Sequence, residues 1–311
     1  MTTFMKRKRD KIDALAENTR GKGVLADAVG RMRRSPVAII GAVIVVLFIV
    51  LAAIAPWIAP KDPFFRDPVL TDHLRLGAGI IPGAQPGYLL GSDENGRDFF
   101  SRLLVGSQQS LIVGVMATLI GLALGMLVGG VAGAIGGWVD TALMRFTDIL
   151  LSVPGLLLAI SIAALAKNPS QFTVILAVSI VNVPIFARLL RGSMLAQRHS
   201  EYILAATSLG VKRSTIVFRH MLPNSLAPVI VQATLTLATS ILDAAALSFL
   251  GLGDPNLDRA EWGAMLSRAQ DFLEIKPDLA FYPAIAIIVV ALGFTLLGES
   301  MREALDPKNR R

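Results

Sequence analysis

Residues 37–58 run for 22 positions without a charged side chain, and as a helix at ~1.5 Å per residue they reach about 33 Å, enough to cross the hydrocarbon core of a bilayer. In lipid every backbone N–H and C=O must be satisfied internally, so such a run must be helical. The run follows a basic stretch, as a signal peptide would, but it is longer than a signal sequence's apolar region and reads as an uncleaved first span. Five further apolar segments follow, at 111–135, 141–166, 173–190, 226–250 and 281–297. The expected fold class is therefore an all-α membrane protein with six transmembrane helices. Composition agrees: 53% of the residues are hydrophobic and 17% charged, against about a quarter charged in soluble domains.

Lysine and arginine collect on the cytoplasmic side of membrane proteins, and their placement gives an orientation. Residues 1–36 hold 10 of them, 188–220 hold 6 and 301–311 hold 4. Segment 60–102 carries 5 basic against 6 acidic residues, and 250–280 carries 3 against 6. Both termini are thus expected to be cytoplasmic, as an even number of spans requires. The net charge of +7 reflects this topology rather than affinity for nucleic acid.

The chain divides accordingly into a basic cytoplasmic tail at 1–35, a first span at 36–59, an extracytoplasmic segment at 60–104, a five-helix core at 105–300 and a short cytoplasmic tail at 301–311. Segment 60–100 is rich in proline and glycine and reads as an ordered excursion rather than a helix. No internal repeat is evident.

The loop after the fourth span, within 194–224, includes EYILAATSLGVKRSTIVFRHMLPN at 201–224. It reads as helix, glycine turn, helix, proline stop. Ala205 and Ala206 let another surface come close, Gly210 supplies the left-handed turn, and Leu222-Pro223 restarts the chain into the fifth span.

In the second span, glycine recurs at every fourth position, Gly121, Gly125, Gly129, Gly133 and Gly137, a stripe that lets two membrane helices approach closely. Pro154, Pro184 and Pro228 lie in or near spans, where kinks are tolerated. Arg145 and Asp148, three apart, have the spacing of a local ion pair. Asp243 is the one acidic residue well inside a span; it should face the bundle interior, either lining a path or pairing with a neighbouring helix.

Chemistry is conspicuous by what is missing. Cysteine is absent, which excludes thiolate metal sites and cysteine nucleophiles. No GxxxxGK[ST], HExxH or GxSxG occurs, so nucleotide-phosphate cradles, metalloprotease sites and serine hydrolase elbows have no residues here. No catalytic residue, metal ligand or cofactor site is expected in this chain.

The spacing from Ala205-Ala206 through Gly210 to Leu222-Pro223 resembles the docking loop of binding-protein-dependent ABC importer permeases. SPVAIIG at 35–41 with IAPKDP at 58–63, LGSDENGRDFFSR at 90–102 and LSFLGLG at 247–253 resemble the dipeptide and oligopeptide (peptide/nickel) branch, in its C-type subunit. Leu204 occupies the slot of the family's first glutamate, with Glu201 three residues earlier; Gln108 and Asp243 depart from the branch's usual arginine and glutamate.

That resemblance implies the type I importer permease fold and a transport subunit without an ATPase site of its own, in the inner membrane of a prokaryote. It implies a homologous B-type permease, two ATPase subunits that bind ATP and Mg, an extracytoplasmic solute-binding protein and a peptide substrate as partners, with lipid around them. It also assigns Glu201, Ala205, Ala206, Gly210, Arg213, His220, Leu222 and Pro223 to ATPase coupling. Asp243 and Ser248 become candidates for the translocation path or its gate, and Asp93, Arg97 and Asp98 for contact with the binding protein. Nickel, glutathione and oligosaccharide systems share the pattern, and an ion-coupled secondary transporter is the competing class.

Overall fold

The computed structural model describes residues 24–75, 81–256 and 258–306. The extreme tails of the sequence reading, 1–23 and 307–311, lie outside the described residues. Among those described, the secondary structure is helical, with two isolated β-bridges and no named strand.

A short helix, α1 (Val24–Met32), precedes α2 (Pro36–Ile58). Ser35 accepts from the Ala38 N–H at 3.4 Å and Pro36 takes the first helical position, which together start α2. Between α2 and the next span lies a helix that the proline and glycine content had obscured, α3 (Pro68–Arg75). Asp67 accepts from the Val69 N–H at 3.0 Å and Pro68 lacks the orphan donor, so the pair starts a helix rather than breaking one.

The second span, α4 (Phe99–Ile135), is 37 residues long and begins well before the apolar run at 111. Asp98 caps it by accepting from the Ser101 N–H at 2.9 Å, and Gly136 ends it at φ +72°. Gly137 consequently lies beyond the helix, off the glycine stripe.

The third predicted span is broken. It consists of α5 (Gly137–Ser152) and α6 (Gly155–Ala164), bent by 90°. Pro154 holds the preceding Val153 in an extended conformation, φ −94° and ψ 132°, as a residue before proline prefers. Among the described residues, five helices are long and apolar enough to cross a membrane, and the bent pair makes up to six.

The fourth span is α7 (Gln171–Arg198). A short α8 (Glu201–Ser208) follows it, and then a stretch from Arg213 through a π-helical segment, Ile216–Met221, which runs directly into α9 (Leu222–Phe249). After α9 come α10 (Trp262–Ala269) and the last span, α11 (Asp278–Leu305).

Close helix approach holds the bundle together. A methyl added at Gly121 would lie 2.7 Å from Asn182 Cβ, one at Gly125 2.5 Å from Phe186 Cβ, and one at Gly133 3.1 Å from Met194 Cβ; at Gly129 it would overlap the Ala187 carbonyl. The stripe therefore seats α4 on α7. Gly41 and Gly293 bring α2 and α11 together in the same way: added methyls would lie 2.8 Å from Leu297 N and 2.6 Å from Ile44 Cγ2. A buried polar node ties α4, α7 and α9, in which Ser240 Oγ accepts from Thr118 Oγ1 at 3.0 Å and Asn182 Nδ2 at 2.9 Å.

Candidate functional site

The two ends of the bundle carry different structures. At one end the chain between α7 and α9 projects as a hairpin. Its first arm, α8, closes in a Schellman turn: the Val211 N–H donates to Ala206 O at 3.1 Å and the Gly210 N–H to Thr207 O at 3.0 Å. Gly210 adopts φ +73°, which side-chain-bearing residues resist.

The second arm is not stopped by Pro223. The π-turn carries it through, with the Leu222 N–H donating to Val217 O, and the hairpin arm is continuous with α9. A π-turn just before a proline accommodates the missing donor and the ring without breaking the helix.

The root of the hairpin is anchored. Ile203 is buried against Ile216, Val217 and Met221 and against Leu190 and Met194 of α7. Tyr202 donates to Gln197 Oε1 at 2.6 Å and accepts from Asn224 Nδ2 at 3.2 Å, bridging both arms to the end of α7. Arg213 donates to the last carbonyls of α4, Ala134 O at 2.8 Å and Ile135 O at 2.9 Å, which satisfies acceptors that a helix end leaves open. Arg191 grips Asp140 of α5 with two bonds of 2.6 and 2.7 Å.

The first arm and the turn are bare: Leu204 and Leu209 are 55 and 84% exposed, with Ala205 and Gly210 exposed beside them. Phe218, 71% exposed, faces a groove against α4, and Glu201 and Pro223 are exposed at the root. This apolar surface on an anchored root has no cover among the described residues. His220 is half-buried, and its backbone carbonyl accepts from Asn224 Nδ2 at 2.9 Å.

At the opposite end, segments 60–75 and 81–98 and the described residues between α9 and α11 interlock into a cap. Asp93, Arg97 and Asp98, the candidates for contact with a binding protein, are buried to 3, 0 and 3% exposure. They lie beneath the surface of the cap. Arg97 Nε lies 2.7 Å and Arg102 Nε 3.2 Å from Asp93 Oδ2, and the Arg102 guanidinium also donates to Pro63 O at 3.0 Å and Arg259 O at 3.2 Å.

Lys276 donates to Pro82 O at 2.6 Å and Ser92 O at 3.0 Å, and burial lowers its pKa. Burial raises the carboxyl of Glu94, with the neighbouring Asp93 charge adding to it. Trp262, fully buried, donates from Nε1 to Leu103 O at 3.0 Å and meets Phe48 edge-on at 5.9 Å.

Ser248 lies beneath this cap, its side chain packed against Gly253 and Gly263. Burial raises the pKa of Glu261, which caps α10 through both oxygens at 2.9 and 3.0 Å.

Asp243 sits half-buried at the edge of the packed interior: beside it on α9 Ser240 and Leu247 are buried, while Thr239 and Leu242 are exposed. The predicted pairing of Arg145 with Asp148 is replaced by one between helices: Arg188 of α7 lies 2.7 Å from Asp148 of α5. A guanidinium on the adjoining helix reaches the carboxylate, whereas Arg145 points outward and is exposed.

Long apolar helices joined through glycine seams, with an anchored hairpin at one end and a folded cap at the other, define a multi-pass membrane subunit. The chain belongs to the family of binding-protein-dependent transport system inner membrane components, which matches residues 121–311. The N-terminal transmembrane domain of oligopeptide transport permease C matches residues 23–75.

Among curated relatives, the dipeptide transport system permease protein DppC of Alkalihalophilus pseudofirmus is 40% identical over 91% of this chain and 89% of its own. The glutathione transport system permease protein GsiD of Shigella flexneri is 46% identical over 89 and 88%. A chain of the methionine ABC transporter MetNI, solved in inward facing conformations, superposes with a TM-score of 0.53 at 16% identity, covering 66% of this chain and 96% of that one. The fold is thus that of an ABC importer permease, and the protein is a multi-pass component of the inner membrane.

Proposed function

We propose that this chain is the C-type permease subunit of an ABC importer that carries di- and oligopeptides inward by alternating access. The observation that carries the reading is its 40 to 46% identity, over about nine-tenths of its length, to permeases named for dipeptide and glutathione; glutathione is itself a short peptide.

In this reading the bare arm and turn at Leu204 and Leu209 are gripped by an ATPase subunit, one of two that hold ATP and Mg. Because the second arm is continuous with α9, displacement of the tip tilts the whole helix. A ligand can shift a conformational equilibrium only through contacts that differ between the states, and the hairpin supplies those contacts for ATP. The cap receives an extracytoplasmic solute-binding protein through the loops that Asp93, Arg97 and Asp98 support, and a homologous B-type permease faces α9. The hairpin end, with the described ends of the chain, is cytoplasmic, and the divisions at 36–59, 60–104 and 105–300 are those of first span, outer segment and core.

The test is reconstitution of the two permeases, the ATPases and the binding protein in proteoliposomes. ATP-dependent accumulation of a labelled dipeptide, lost when the binding protein is left out, is the expected result. Uptake by this chain alone under an ion gradient would overturn the reading.

A further inference from the structure

The uncovered faces of the bundle are of two kinds. On α2 the exposed residues, among them Val43, Val46, Leu47 and Ile49, are wholly apolar, as a lipid-facing surface must be. On α9 they are not. Gln232, Thr239 and Asp243 are half-buried or exposed, and at 3.6 residues per turn the eleven positions from Gln232 to Asp243 are about three turns, so all three share one face.

This line ends in an open furrow of about 610 Å³ in which Arg188, Ser193 and Gln232 stand among the apolar Leu151, Ile185 and Leu189. Arg188 is 54% exposed there, and its ion pair with Asp148 engages a single nitrogen, Nη2 at 2.7 Å. A guanidinium has five donors in a fork that matches a carboxylate. A glutamine, a threonine, an aspartate and an arginine on one uncovered strip of membrane helices would be costly against lipid, and such groups mark water-filled solute paths.

Resting on the importer reading above, we propose that this strip is the chain's wall of the translocation path, and that Arg188 in the furrow is the subsite for the carboxylate of the passing solute. Gln232 supplies an amide beside it for the peptide backbone. Asp243, about 16 Å further along α9 at ~1.5 Å per residue, presents the opposite charge, suited to an amino terminus nearer the cap.

The natural absence of cysteine makes the wall directly testable. In the assembled complex in inside-out vesicles, Gln232→Cys and Thr239→Cys are expected to react with a membrane-impermeant thiol reagent at least tenfold faster than Val46→Cys and Ile49→Cys. Equal rates at the four positions would overturn the path assignment.

For the subsite, uptake of a labelled dipeptide, normalised to assembled complex, is expected to fall about tenfold or more in Arg188→Gln, the loss of a charged hydrogen bond. Arg188→Lys should restore most of it, and Asp148→Asn, which leaves the guanidinium in place, should lose little. If Asp148→Asn lost as much as Arg188→Gln, the pair would be a structural brace and the subsite would be refuted. A wild-type complex that imports no dipeptide would sink the peptide reading instead, and the thiol rates would still decide the wall.

Discussion

Replacing Gly125 by alanine places a methyl 2.5 Å from Phe186 Cβ and 2.7 Å from Val183 O. Carbon atoms rest at ~3.5–4.0 Å, so α4 and α7 would have to part locally by about 1 Å. Neither obstruction is a flexible side-chain end, which puts the strain at the upper part of the usual ~1–3 kcal/mol for overpacking. Alanine recovers ~1 kcal/mol of helix propensity over glycine, leaving a net loss of about 2 kcal/mol.

The neighbouring Gly130 is an internal control. Its added methyl would meet nothing nearer than Leu190 Cδ2 at 3.7 Å, an ordinary contact, so Gly130→Ala should be neutral or gain up to ~1 kcal/mol. The assay is the apparent melting temperature of the purified permease complex in one detergent, where the two variants should separate by about 5 °C or more. Equal melting temperatures would refute the claim that the glycine stripe sets the α4–α7 distance.

Other expectations follow from the two ends of the molecule. Removing the buried guanidinium in Arg97→Met leaves Asp93 under-compensated, with a loss of about 3 kcal/mol or more; Arg66→Ala, whose partner Asp258 is as exposed as itself, should cost ~0–1 kcal/mol, and chemical denaturation of the two variants compares them. Arg213→Gln removes a charged cap from Ala134 O and Ile135 O, and faster hydrogen exchange at the hairpin root is the readout. The Tyr88 hydroxyl donates to Asp67 Oδ2 at 2.5 Å and holds that carboxyl below its ordinary pKa. A depressed carboxyl contributes stability that is present above its unfolded pKa and lost as pH falls through the folded one. Proteolysis of segments 60–75 and 81–98 should therefore quicken on acidification below about pH 4, and Asp67→Asn should remove that pH-dependent step.

The features legible in the sequence are those that local periodicity or backbone geometry dictate. The apolar runs, the left-handed turn at Gly210 and the four-residue glycine spacing each express a constraint that acts within a few turns of helix. What escaped depends on partners far along the chain. Asp93, Arg97 and Asp98 look like exposed loop polars until Lys276, Asp258 and Arg259 fold over their segment. Asp148 is three residues from Arg145, but its partner is Arg188, forty residues on, and only the packing of α5 on α7 brings them together. Pro154 was visible, yet the apolar run around it continued unbroken, and hydropathy carries no information about direction. The π-turn at 216–221 went unread for a related reason: Pro223 as a stop and Pro223 as a continuation have the same sequence.

The central claim is that force enters through the hairpin tip. Its most direct measurement pairs a pull-down with transport, using Leu204→Asp combined with Leu209→Asp, two exposed positions where the change costs the fold little. The account predicts that the two permeases still co-purify while the ATPase subunits are lost and ATP-driven uptake stops. ATPases retained at full occupancy with uptake at the wild-type rate would contradict it.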